Sequence, residues 1–345
     1  MKKKFSWIRF FELVFLLLAV SVIAITMGSA DLSVKDSLQI LLCKIPLIGD
    51  KIGVSDLAGA YETIIWKVRL PRILTSALVG GALALVGATF QGVFQNSLAD
   101  PHILGVSSGA ALGATIAMLT GTSVSFLGLG TIGIFAFAGA MLTVFIVYRV
   151  AGVGGGISTS NMLLAGTAIS TLLSSLISLL MTFNNDQISK VYMWTMGSFS
   201  SATWDKTGFL ALFVVIGSLI LIMYSGKLNI LMMGEEDASC LGVDTGRTRT
   251  ILIIVASLLV AASVSVSGII GFVGLIIPHC VRMIGGSDNR KLMPYVMLIG
   301  AIFLVICDTV ARTIAAPTEI PVGVITSIFG APYFIFLVVT RKKNL

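Results

Sequence analysis

The chain has 345 residues, of which 56% are hydrophobic and only 11% charged, and its mean hydropathy is +1.01. So few charged groups cannot clothe a water-facing surface, which excludes a soluble domain and indicates an integral membrane protein. The net charge of +7 does not call for nucleic acid, because the cations flank apolar runs, and an excess of Lys and Arg marks cytoplasmic loops.

A hydrocarbon core of about 30 Å takes roughly 20 apolar residues per helix. On that scale the sequence predicts about ten spans, the first five at Phe10–Met27, Ile73–Phe94, Ile103–Leu119, Phe126–Tyr148 and Asn161–Phe183. The second five lie at Gly208–Tyr224, Thr250–Ser267, Ile269–Met283, Pro294–Ile314 and Val322–Thr340. The first run follows Lys2, Lys3, Lys4 and Arg9 and ends near Gly28, Ser29 and Ala30, as a cleaved signal peptide would. Its length suffices to span, and it is read as a retained anchor.

With the N-terminus inside, most cations fall on the cytoplasmic side, but "KVRLPR", Lys67 to Arg72, falls outside against the usual bias. Arg312 falls outside as well. Asp308, four residues before Arg312, shares a helix face with it, so an ion pair between the two is expected. Cys43, Cys240, Cys280 and Cys307 show no CxxC spacing, and His102 and His279 belong to no metal-ligand pattern, so no metal site is expected. There is no nucleophile with an adjacent base and no GxxxxGK[ST], so the chain is not read as an enzyme and cannot hold ATP by a P-loop.

The longest inward loop is 226–249, "GKLNILMMGEEDASCLGVDTGRTR". Glu235, Glu236 and Asp237 suit the positive end of a short helix, Gly242 can end it in a left-handed cap, and Asp244 or Thr245 can start a second one leading through Arg247 and Arg249. Two short helices would form a stiff platform, whereas the plainer alternative is a solvated linker. In the fifth span Thr167, Thr171, Ser174 and Ser178 fall four, three and four apart, which places their hydroxyls on one face. Such a face suits a wet passage or close helix packing equally well. Ala77, Gly80, Ala84, Gly87 and Gln91 in the second span read as packing.

"RLPR", "GGALALVGATFQGVFQNSLADPHILGVSSGA", "STSNMLLAG", "GFVGLIIPHCVR", "DTVAR" and "EIPVGVITSIFGAPYFIFLV" occur in an order that resembles the FecCD-type permeases, the membrane subunits of ABC importers for iron-siderophores, haem and cobalamin. The resemblance runs from about Arg69 to the end. It implies an all-α polytopic fold like that of the cobalamin-importer permease, with spans two to five and seven to ten as inverted repeats. It implies a single permease domain over 1–345, with 226–249 as the cytoplasmic ATPase-coupling loop and 29–68 as an extracytoplasmic loop. Implied partners are two cytoplasmic ATP-binding subunits, which carry the ATP and Mg, an extracytoplasmic binding lipoprotein or periplasmic protein, and a second permease copy or paralogue. No cofactor is implied for this chain itself.

By the same resemblance Arg69, Arg72 and Arg312 dock carboxylates of the binding protein. Glu235, Glu236, Asp237, Leu241, Gly242, Arg247 and Arg249 fall in the coupling loop. Asn96, Ser97 and Leu98, with Ser158, Thr159 and Ser160, match the inner gate, although the family often has proline where this chain has Ser97. The glycines Gly152, Gly154, Gly155 and Gly156 before the second gate segment suit a flexible linker. The expected function is inward passage of an iron(III) chelate across a bacterial inner membrane, both termini being cytoplasmic. A vitamin or molybdate permease would share every motif, and a secondary carrier is the rival from another class.

Overall fold

The computed structural model describes residues 6–28, 39–40, 58–153 and 159–342. Helix α1 (Trp7–Thr26) starts at Ser6, whose side chain accepts from the Arg9 N–H. A helical stretch then comprises α2 (Ala58–Thr63), a π-helical segment (Ile64–Arg69) and α3 (Leu70–Val93). The ladder slips to an i to i−5 bond, Leu70 N–H to Ile65 O, just before Pro71, which has no N–H to donate. Next come α4 (Val106–Thr120), a two-residue hairpin of β1 (Ser125–Phe126) and β2 (Leu129–Gly130), α5 (Thr131–Ala151) and α6 (Thr159–Thr182). The second half holds α7 (Ile188–Thr195), α8 (Trp204–Leu231), α9 (Glu235–Cys240), α10 (Thr245–Ser267), α11 (Val273–Gly285), α12 (Asn289–Thr313) and α13 (Val322–Lys342).

Seven helical stretches among the described residues have the length and apolarity to cross a membrane, and three shorter apolar helices bring the total to the expected ten. Two of the expected spans are half-helices that fall short of the membrane thickness. With 15 and 13 residues, α4 and α11 reach about 20 Å each at 1.5 Å per residue, and their lead-in segments are loop rather than helix. The lead-in to α4 turns at Gly105 (φ +73°) and that to α11 at Phe272 (φ +69°). These loops sit at mid-depth. Pro101 lies beside Gly274, which also packs on Leu83 near the middle of α3, and Gly105 lies beside Ser170 near the middle of α6.

The two half-helices mark the inverted repeats, α3–α6 and α10–α13. In each, a full helix is followed by a loop, a half-helix and two further helices. At the centre are α3 and α10, buried along 83% and 72% of their most apolar stretches, whereas α6 is buried along 6% of its own. Bare backbone lets the central helices touch. A Cβ on Gly87 would lie 1.9 Å from the Gly274 carbonyl oxygen of α11, and one on Gly80 would lie 2.3 Å from the Gly300 oxygen of α12.

Four local expectations change. The second span is helical from Ala58 rather than from Ile73, so the last eleven residues of the expected 29–68 loop, 58–68, are helical. The fourth span begins at Thr131 rather than Phe126, because 125–130 forms the small hairpin. Helix α8 runs on through Leu231, since Leu228 and Leu231 bury against the bundle, so the first six residues of the expected 226–249 loop are helical. In that loop α9 is the one separate short helix: Asp244 caps α10 directly, accepting from Arg247 N–H at 2.9 Å, so the second platform helix is the first turn of a membrane helix. The short helix α7 was not anticipated.

Candidate functional site

Two ends of the bundle carry the polar groups singled out by sequence. At one end Arg69, Arg72 and Arg312 come together, each only 5–6% exposed. Arg69 donates to the Ile25 and Thr26 carbonyls and Arg312 to that of Ala24. These are last-turn carbonyls of α1, which have no partner in their own helix, so two guanidiniums cap its C-terminus. Arg72 meets Asp308 through Nε (3.0 and 3.1 Å) and Nη2 (2.9 Å), and Glu319 through Nη1 (2.8 and 3.0 Å). The expected Asp308–Arg312 pair is therefore replaced. Asp308 gives both oxygens to the planar fork of Arg72 on the neighbouring helix, and Arg312 turns to α1 instead.

At the other end lies α9. Its acidic first turn, Glu235, Glu236 and Asp237, is exposed, while Ala238 and Val243 are buried beneath it. Gly234 (φ +122°) and Gly242 (φ +77°) turn the chain on either side, as left-handed glycines do at no steric cost. Glu235 accepts from Arg249 (3.5 Å) and Thr245 (3.4 Å), which ties α9 to α10. Leu241 stands out at 59% exposure, and Arg247 is exposed as well. The result is a braced short helix with a charged and apolar outer surface.

Near that end, Asn96, Ser97 and Leu98 form the turn after α3, with Asn96 Oδ1 accepting from Leu98 N–H at 2.9 Å. Gln95 (φ +50°) anchors the turn by donating to Leu231 O at 3.0 Å. Thr159 and Ser160 open α6; Ser158, Gly154, Gly155 and Gly156 lie outside the described residues. Among the described residues no hydrogen bond joins the two gate segments.

Helix α6 carries Thr167, Thr171, Ser174 and Ser178 on an exposed face. Thr167, Thr171 and Ser178 donate back to Leu164, Thr167 and Ser174 carbonyls at 2.9, 3.0 and 3.1 Å. Its buried residues are Met162, Ala165 and Gly166, all near its start. Among the described residues the stripe is thus not used for packing.

Two polar bridges between the repeats were missed by sequence reasoning. Gln91, 2% exposed, donates to the Gly274 and Leu275 carbonyls (3.4 and 3.2 Å) and accepts from Arg282 (2.9 Å). His102, in one lead-in loop, bonds Ile270 O of the other at 3.0 Å through Nε2. Because a carbonyl only accepts, Nε2 carries the proton and Nδ1 accepts from Ser107. Both polar side chains are adjacent to the half-helices. The signal available was a lone Gln or His inside an apolar run, which looks the same whether it packs or bridges.

The model of the FecCD transport family matches residues 16–340. The chain belongs to the FecCD transport family. Its members are ABC transporter permeases, not themselves enzymes, and this chain is an importer permease of that family. It is 45% identical over 292 residues to the cobalamin import system permease BtuC of Halobacterium salinarum, covering 85% of this chain and 77% of that protein. It is 37% identical over 336 residues to the molybdate import system permease MolB of Haemophilus influenzae, covering 97% and 96%. A solved structure described as an inward-facing conformation of a metal-chelate type ABC transporter superposes with TM-score 0.82 at 34% identity, covering 96% of this chain and 98% of that one. A FecCD permease thus has its half-helices, braced short helix and exposed hydroxyl stripe in one scaffold.

Proposed function

We propose that this permease carries an iron(III) chelate inward, driven by two separate ATP-binding subunits on the α9 side and supplied by a binding lipoprotein or periplasmic protein on the arginine side. The observation that carries the reading is the exposed hydroxyl face of α6. A face of small polar groups, left uncovered by the described residues, is suited to line a passage against a second copy in a homodimer. The likeness to a metal-chelate type transporter supports the cargo class. Cobalamin, haem and molybdate are the competing cargoes, and all three appear in the names of relatives, haem as hemin.

In this scheme α9 receives the push of the ATPases. Glu235 to Asp237, Leu241 and Arg247 form the contact, the Glu235–Arg249 pair makes it stiff, and Gly242 fixes where it ends. The turn Asn96–Leu98 and the segment Ser158, Thr159 and Ser160 close the inner mouth. Membrane placement with both termini cytoplasmic follows from the cation count. Docking by Arg69, Arg72 and Arg312 acquires a definite physical meaning. Each guanidinium is already engaged, Arg69 and Arg312 by carbonyls and Arg72 by two carboxylates, and the internal carboxylate that a partner's could most readily replace is Glu319 on Arg72, at 43% side-chain exposure.

The test is uptake of labelled ferric siderophores, haem, cobalamin and molybdate in parallel, by cells lacking the gene and by the same cells with it restored. Loss and recovery of one ferric chelate supports the reading; loss of another cargo alone overturns the cargo. Uptake that survives replacement of the partner ATPase's P-loop lysine, but stops when the proton gradient collapses, overturns the importer mechanism in favour of a secondary carrier.

A further inference from the structure

A cavity of about 830 Å³ opens at the arginine end, between the α4–α5 connection, α7 and the starts of α8 and α13. That is a small-ligand volume. Its charged lining consists of Lys190, Lys206 and Glu319. Glu319 is paired with Arg72 at 2.8 Å and belongs to a cluster in which Arg69, Arg72 and Arg312 outnumber Asp308 and Glu319, so its charge is balanced there and the two lysines set the sign of the field inside. Lys206 donates to Ser201 O (2.8 Å) and Oγ (3.0 Å), which leaves one of its three N–H donors unassigned. Lys190 is exposed on the facing helix α7.

The rest of the lining is of two kinds. Nine residues carry hydroxyls. Ser265 and Ser267 donate to the Ala262 and Ser263 carbonyls and Ser198 to Ser200, so that Ser200, the acceptor, keeps its proton for a ligand oxygen while the others make the wall polar. Trp194 and its neighbours Met118 and Met193 form an apolar wall. Two unspent cations, a hydroxyl-rich floor and an aromatic wall define one chemistry.

We propose that this cavity binds an oxygen-rich anion, its carboxylate-, catecholate- or phosphate-type oxygens on Lys190 and Lys206 and its apolar part on Trp194. Such oxygens are presented by an anionic metal chelate in the aqueous phase or by the headgroup of an acidic lipid. The inference goes beyond the importer reading and concerns binding to this chain alone. In an importer it would make the cavity a stop before the passage and would favour anionic over neutral cargo.

The test uses the full-length protein in nanodiscs of phosphatidylcholine, with Trp7, Trp66 and Trp204 replaced by Phe so that Trp194 reports alone. The ligands are a trianionic gallium tris-catecholate and a neutral gallium tris-hydroxamate of similar size, labelled with radiogallium and followed by equilibrium dialysis. Trp194 fluorescence places the bound ligand. The anion is expected to bind saturably and to perturb Trp194, the neutral complex at least about tenfold more weakly, a margin that needs only 1.4 kcal/mol. Lys190→Gln with Lys206→Gln should abolish that preference, and Lys190→Arg with Lys206→Arg should keep it, which separates lost charge from lost folding. A second arm replaces part of the lipid by phosphatidylglycerol. If the acidic lipid displaces the chelate and shifts Trp194 only when the lysines are present, the headgroup is the occupant and the anion site stands. If neither anion binds, or binding ignores both lysine changes, the proposal is overturned. Uptake can succeed or fail independently, so the two readings fall separately.

Discussion

The Arg72–Asp308 pair permits a quantitative test of what the arginine cluster does. Asp308 is 1% exposed and Arg72 6%, and three of their hydrogen bonds lie between 2.9 and 3.1 Å. Asp308→Ala leaves Arg72 with Glu319 alone, and Arg72→Ala leaves Asp308 buried with no cation in contact. Breaking a buried pair from one side costs about 3–5 kcal/mol, whereas replacing both partners by apolar groups is often nearly neutral. With about 2–4 °C of melting temperature per kcal/mol in mid-sized chains, each single change should lower the midpoint by roughly 10 °C. Arg72→Leu with Asp308→Leu should recover most of that loss. The assay is size-exclusion chromatography of detergent-solubilised protein after stepwise heating. A double variant whose loss equals the sum of the singles would refute the pairing argument. The same result governs how docking can be probed: Arg72→Glu would face Asp308 and Glu319 with a third carboxylate, so a transport defect in that variant would reflect folding as much as docking.

Gly87→Ala is expected to reduce folded yield sharply. Its new Cβ meets a backbone oxygen at 1.9 Å, and with no side chain free to move aside, the cost exceeds the 1–3 kcal/mol typical of overpacking. Wild-type heat resistance of that variant would count against the α3–α11 contact. Asp288 caps α12 and accepts from Asn229 (2.7 Å) and Arg290 N–H (3.2 Å), with Lys291 at 3.5 Å. Partial burial works against the charge, but these partners outweigh it and hold its carboxyl below the ordinary aspartate value. The depressed value means that its stabilisation is complete above the ordinary aspartate pKa and fades as pH falls through the lower folded value. Asp288→Ala should therefore cost about 1 kcal/mol near neutrality, with the gap to wild type closing in that acidic window; a gap independent of pH would discount the ionised cap.

Much of this architecture is legible because lipid enforces it: each backbone polar group must be satisfied within a helix, so long apolar runs report spans directly. The hydroxyl stripe of α6, the left-handed turn at Gly242 and the cap at Asp244 were legible for the same local reason, since each depends on neighbours within a turn. The half-helices were not. Ile103 and Leu104 precede α4 as Ile269 and Ile270 precede α11, and these lead-in residues are as apolar as the helices they introduce, so hydropathy merges loop with helix. Nor was the partner of Asp308. The i to i+4 rule nominates Arg312, but Arg72, 236 residues away, presents a better fork, and the need of the α1 carbonyls for donors draws Arg312 elsewhere. Gln91 teaches the same lesson, as it was read as packing on its own helix while its partners lie in the opposite repeat, and His102, set aside for want of a metal-ligand pattern, bonds Ile270 O across the repeats.

The exposed face of α6 poses the decisive question for transport, because its hydroxyls alone do not choose an environment. Thr167, Thr171 and Ser178 already donate to their own helix. Lipid, a packed neighbour and water are therefore all compatible with that internal bonding. What differs is the access of water to the side-chain positions. In a chain with its native cysteines replaced by Ser or Ala, Thr171→Cys and Ser174→Cys should react with a charged, water-soluble methanethiosulfonate if the face lines a passage. Leu172, two-fifths shielded at 59% exposure and pointing about 100° round the helix from Thr171, supplies the control. A passage predicts reaction at 171 and 174 well above that at Leu172→Cys, and a further change when the partner ATPase is trapped with nucleotide. Equal and slow reaction at all three positions would assign the face to lipid or to tight packing, and would remove the observation on which the proposed path rests.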